Sequence, residues 1–183
     1  MKRDRAIGPE AKTEKNSNIH PLKEFSGRVL RWRQPILREQ YYELYGDGIL
    51  VASLSMSGIL KPVGIAKLDR GEFRLEISGL VRNNVTIEQL NPQKEIATYL
   101  SKRLNRGELN FNNGPSFQFK NVGILKNDWE IRDQHQIVIC TVTQKGLSIE
   151  NKAEVNIKEK VKNDLHLAMI ILTAWCISVT ATT

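Results

Sequence analysis

From Leu165 to Thr183 the chain contains no Lys, Arg, Asp or Glu. Leu165, Leu167, Ala168, Met169, Ile170, Ile171, Leu172, Ala174, Trp175, Cys176, Ile177 and Val179 would surround a helix on every side. A helix apolar all round must be buried, either in protein or in lipid. Asn163 suits an N-cap, and Asp164 places a negative charge on the first turn, where it favours the helix dipole. The predicted helix therefore runs from Asp164 to Thr180. At 1.5 Å per residue it is roughly 25 Å long, whereas a bilayer core about 30 Å thick takes about 20 apolar residues. His166, Thr173, Ser178, Thr180, Thr182 and Thr183 dilute it further. The segment is thus short for a membrane span. A tail anchor is the alternative burial, because Lys158, Lys160 and Lys162 would suit its cytoplasmic flank.

What precedes the helix reads as short strands joined by tight turns. Tyr41–Tyr45 and Ile49–Leu54 flank Gly46-Asp47-Gly48, a strong hairpin signal because both turn positions tolerate positive φ. Val63–Leu68 and Glu72–Ser78 flank Asp69-Arg70-Gly71 in the same way. Arg28–Arg33, Val85–Gln89, Glu95–Ser101, Glu108–Phe111, Ser116–Lys120, Asp128–Arg132, Gln136–Thr143, Leu147–Glu150 and Glu154–Ile157 complete the series. About twelve strands at a spacing of roughly 8–12 residues is the rhythm of a sandwich or a barrel. Phe73, Leu75 and Ile77 alternate with Arg74, Glu76 and Ser78, the pattern of a sheet wet on one face. Phe117 and Phe119, Trp129 and Ile131, and Leu30 and Trp32 repeat it.

A strand of about six residues rises roughly 20 Å, close to the length of the helix. A closed barrel of about twelve strands also has more interior than its own side chains fill. The expected fold is mainly β: an antiparallel barrel of about twelve strands closed around the hydrophobic C-terminal helix 164–180.

The chain has 183 residues, of which 40% are apolar, enough for one ordinary domain with a sizeable core. Cys140 and Cys176 each sit in an apolar stretch, which suits buried free thiols and a reducing, cytoplasmic compartment. Residues 1–24 carry Lys2, Arg3, Arg5, Lys12 and Lys15 among acids, Asn, Ser and Gly, without an apolar run. This argues against a secretory signal and for a disordered basic arm ahead of a barrel domain 25–183.

No phosphate-cradling glycine motif, zinc-ligand spacing or nucleophile elbow occurs. His20, His135 and His166 lie in the arm, in an expected turn and at the helix start, so no catalytic residue, metal or other cofactor is nominated. The functional lead is positive charge: the formal net charge is +7 and the pI about 9.5, which attracts acidic partners. Arg31 and Arg33 point outward if Leu30 and Trp32 point inward, with Arg28 and Arg38 flanking them. Lys102, Arg103 and Arg106 cluster about an expected Asn105-Arg106-Gly107 turn, and Lys158, Lys160 and Lys162 form a third group. Such clusters can hold phosphates through charge-assisted hydrogen bonds. Few aromatics interleave with the cations, which disfavours nucleic acid.

The order of elements, many short antiparallel strands and then a terminal all-apolar helix, resembles the tubby C-terminal-like superfamily of tubby, LURP-one-related and phospholipid scramblase proteins. Similar local features are the Tyr42-Glu43-Leu44-Tyr45-Gly46-Asp47-Gly48 hairpin and the Asn127-Asp128-Trp129-Glu130-Ile131-Arg132-Asp133 strand leading into Ile137-Val138-Ile139. The Asn163-Asp164-Leu165 helix start is a third, so the resemblance covers about Arg28 to Thr180. It implies a barrel around a central helix and, since tubby domains bind phosphoinositide headgroups, an anionic membrane surface as partner and a peripheral location. Calcium-driven scrambling does not carry over, because Lys158–Asp164 is not the oxygen-rich stretch a calcium loop needs. The expected function is a non-enzymatic module binding anionic phospholipid headgroups. The alternatives are a soluble protein-interaction barrel and a tail-anchored protein.

Overall fold

A computed structural model describes residues 18–25, 27–79, 83–102, 105–123, 128–144, 152–158 and 164–180. Twelve strands follow one another around a closed antiparallel barrel: β1 (Val29–Arg33), β2 (Tyr41–Gly46), β3 (Ile49–Ser57), β4 (Val63–Leu68), β5 (Gly71–Ser78), β6 (Asn84–Leu90), β7 (Gln93–Lys102), β8 (Arg106–Phe111), β9 (Ser116–Asn121), β10 (Trp129–Arg132), β11 (Val138–Gln144) and β12 (Ala153–Ile157). Each strand pairs with its sequence neighbours, and β1 closes the cylinder on β12 through Leu30 opposite Val155 and Trp32 opposite Ala153. Closure removes the exposed edges that an open sheet of this size would present.

Local chemistry accounts for the meander. At the β2–β3 turn Asp47 and Gly48 both take positive φ, 50° and 83°, the conformation that suits a tight hairpin. Leu30, Trp32, Phe73, Leu75, Ile77, Phe117, Phe119, Trp129 and Ile131 are all buried, while the residues between them face outward. Period-2 alternation thus decides which face is which. On β11 the register shifts beside Ile131 and Arg132, so Ile139 and Cys140 are both buried while Val138 is only partly so. A bulge of this kind lets one strand place consecutive residues inward.

The helix α1 (Asp164–Thr180) fills the lumen. Its Trp175 stacks on Trp32 of β1 at 5.3 Å and meets Tyr42 of β2 edge-on at 5.5 Å. Cys176 Sγ lies 3.7 Å from Met56 Sδ of β3. Across the lumen Trp129 of β10 donates from Nε1 to Ser178 Oγ at 2.9 Å, and His166 lies 4.1 Å from the Phe111 ring of β8. Contacts with β1, β2 and β3 on one side and β8 and β10 on the other require the helix to be inside. Ser178 and Thr180 donate back to the Ala174 and Cys176 carbonyls, so these hydroxyls satisfy themselves within the helix. Thr173 Oγ1 is buried without a hydrogen-bond partner. Among the described residues no helix is long and apolar enough to cross a membrane.

Two expectations about boundaries change. Leu22–Phe25 is a 3₁₀ turn with Leu22 and Phe25 buried in the core, so order begins inside the stretch assigned to the basic arm. Phe25 covers Gly46, where an added Cβ would lie 2.3 Å from its ring. Arg106 and Gly107 open β8 rather than forming a turn, because Asn105 takes the left-handed conformation at φ 56°. Residues 1–17, the expected strand Leu147–Glu150 and the expected N-cap Asn163 lie outside the described residues.

The barrel has two distinct ends. Asp164, with Arg70 Nη2 3.7 Å from its Oδ2, marks the end where the helix begins. Burial pushes the Asp164 carboxyl above its ordinary range, and Arg70 opposes the shift. At the other end the helix finishes among the β1–β2 and β3–β4 loops, where Val179 and Thr180 line a cleft with Leu37, Arg38 and Ile59.

Candidate anion-binding site

Outward residues of β7–β10 form a grid whose register fixes every neighbour. Lys102 stands opposite Arg106, Arg106 opposite Lys120, and Lys120 opposite Glu130. One row across the wall therefore reads cation, cation, cation, carboxylate. The adjacent row is Leu100, Glu108, Gln118 and Arg132. Lys102 Nζ pairs with Glu108. Arg132 is held by Glu130, with Nε and Nη2 each 2.8 Å from Oε1, and it donates from Nη1 to the Gln136 carbonyl at 2.9 Å. Among the described residues, Arg106 and Lys120 have no carboxylate partner.

Lys102, Arg106, Gln118, Lys120, Arg132 and Gln136 line a groove of about 390 Å³ over these strands, with no carboxylate among the described residues of its lining. Like charges directly opposite one another on an antiparallel pair are destabilising, by roughly 0.2–1 kcal/mol. Arg106 facing Lys120 is such a pair. An anion seated between them would remove the repulsion and accept charge-assisted hydrogen bonds, with Arg106 able to grip two oxygens at once.

The first arginine cluster is organised differently. A groove of about 600 Å³ over β1, β2 and β12 contains Arg31, Arg33 and Lys152, and also Glu43 and Glu154. Arg31 Nε is 3.4 Å from Glu154 Oε1, and the Arg33 guanidinium sits 5.4 Å from the Tyr45 ring centre. Tyr45 donates to Glu43 Oε2 at 2.7 Å and Tyr41 to Oε1 at 3.2 Å. Burial, reinforced by the bond to Glu43, pushes the Tyr45 phenol up to about 12. Cations here are matched by carboxylate and ring partners in the same groove.

The other sequence candidates scatter. Arg28 pairs with Asp47, and it lies with Lys158 at the helix-start end. Arg38 belongs to the β1–β2 loop at the opposite end. Arg103, Lys160 and Lys162 lie outside the described residues. The structure brings Lys102 and Arg106 together as expected and adds Lys120 and Arg132, which sequence reading missed. Both sit at outward positions of alternating strands, a detectable signal, but only strand register places them beside Lys102 and Arg106.

Groups with other chemistries are buried. Burial raises both cysteine thiols to about 12, so neither is a nucleophile near neutral pH. Burial lowers His166. Among the described residues no cluster of His, Cys, Asp and Glu could hold a metal ion. Comparison of the chain with protein-family models, curated proteins and solved structures gave no match.

Proposed function

We propose that this protein is a non-catalytic module that binds the anionic headgroups of membrane phospholipids through the β7–β10 groove. The observation that carries the reading is the row Lys102, Arg106, Lys120, in which two cations face each other without a carboxylate between them. Phosphate oxygens are the acceptors such a row suits. An anionic leaflet adds about 1 kcal/mol of attraction per Lys or Arg near its surface. Membership of the tubby C-terminal-like superfamily belongs to the same proposal, supported by the order of twelve strands and a central helix.

Co-sedimentation with phosphatidylcholine vesicles, with and without phosphoinositide, tests the reading. Binding should require the phosphoinositide and weaken with salt, since the contacts lie on the surface and are screened. Equal and negligible sedimentation with both at low salt would overturn it and leave the protein-interaction barrel as the better reading.

A further inference from the structure

Ile59 and Leu60, at the tip of the β3–β4 loop, are 94% and 87% exposed. The loop turns tightly. Gly58 takes φ 82°, with the Lys61 carbonyl oxygen only 2.6 Å from where a Cβ would stand. The Pro62 carbonyl accepts from the Ile77 amide at 2.9 Å. Two large aliphatic side chains thus stand in water at the tip of a tight turn between paired strands. The neighbouring β1–β2 loop presents Ile36 and Leu37, each about half exposed, and the two loops share the cleft that Leu37, Ile59 and Val179 line. Scattered surface aliphatics need no explanation, but a contiguous apolar tip marks an interaction site.

Charge and position identify the occupant. Arg38 and Lys61 flank the apolar tips, against Glu39. The groove row lies at the same end of the barrel, because Lys102 closes β7, Arg106 opens β8 and Lys120 is next to last in β9. Aliphatic tips backed by cations fit an anionic bilayer, where tips enter the acyl boundary and cations stay among headgroups. We infer that the protein docks end-on, with its helix C-terminus toward the membrane and Ile59 and Leu60 inserted below the headgroups. This rests on the reading of the protein as a module that binds an anionic membrane surface, and adds an orientation and an insertion that the groove alone does not imply.

The test uses the full chain and vesicles of phosphatidylcholine with phosphatidylserine and phosphatidylinositol 4,5-bisphosphate. Ile59→Ser with Leu60→Ser should leave the melting temperature unchanged, since neither side chain is buried, and should weaken vesicle binding roughly tenfold or more. An Ile59→Trp indole should shift to shorter wavelength on binding and be quenched by lipids brominated along the acyl chain. Full-strength binding by the double serine variant, with an unquenched indole, would overturn the insertion while leaving the headgroup reading in place. If Arg106→Glu binds normally and the serine variant does not, the groove reading falls and the insertion stands. Should the serine variant instead convert a dimer to a monomer in sedimentation velocity without changing vesicle binding, the tips belong to a second copy and the inference is wrong.

Discussion

The inner and outer faces of β7–β10 are made by alternate residues of the same strands, yet they are built on opposite terms. Inward, Tyr99, Leu109, Phe119 and Ile131 are all buried, and Tyr99 meets Phe119 edge-on at 5.2 Å. Phe111 meets His166 of α1, and Trp129 donates to Ser178 of the same helix. Outward, Arg106 faces Lys120 in an arrangement that costs the fold something and gives it nothing. A wall tuned for stability alone would alternate its charges, as the β1–β2–β12 wall does with Arg31 and Glu154. The contrast teaches where in this molecule to look for function: in the place where the packing rules are kept inside and the charge rules are broken outside.

Breaking the inner face should have the largest effect. Ile171→Asp puts an unpaired carboxylate in the lumen, where Ile171 is fully enclosed, and should cost at least about 4 kcal/mol. Loss of the cooperative unfolding transition in urea would register it. A folded variant that merely lost membrane association would show the helix to be a lipid anchor instead.

Gly107→Ala should cost less, about 1–3 kcal/mol, because an added Cβ would stand 2.1 Å from the Tyr99 hydroxyl. The Tyr99 ring occupies the space that this glycine leaves open on the inner face, directly behind the groove. Pairing Gly107→Ala with Tyr99→Leu should recover part of the loss in the denaturation midpoint.

His166 gives a smaller, pH-dependent effect. Burial lowers its pKa, so the unfolded chain takes up a proton that the folded chain resists. Stability therefore falls as pH drops below the ordinary histidine value of about 6.5, until the lowered folded value is reached. Asp164 acts in the opposite sense further down: its raised carboxyl lets the folded state gain a proton first as pH falls toward the ordinary carboxylate range. Urea midpoints at about pH 7.5 and pH 5.5 should converge when His166→Gln removes the titrating ring.

The inner face was legible in the chain and the outer site only partly so, for a physical reason. Burial repeats every second residue within a strand, so Phe73, Leu75 and Ile77 declare their side locally, as Asp47-Gly48 declares its turn. The all-round apolar helix demanded an enclosure, and the strands before it supplied one. Outer-face neighbours come from different strands, and their spacing depends on register. Lys120 reaches Arg106 through the β8–β9 pairing, whereas Arg31 is neutralised by Glu154 across the closure of the barrel. Runs of cations along the chain consequently pointed to Arg31 and Arg33 as readily as to Arg106.

The most direct measurement takes Arg106→Glu through two assays at once. The substitution makes the row alternate, with a carboxylate between Lys102 and Lys120. Stability should stay level or rise by roughly 0.2–1 kcal/mol, while binding to phosphoinositide vesicles should fall by about tenfold or more. Arg31→Glu, which breaks the pair with Glu154, should leave binding as it was. A variant that loses stability yet keeps its vesicle binding would contradict the assignment of the β7–β10 wall as the functional face.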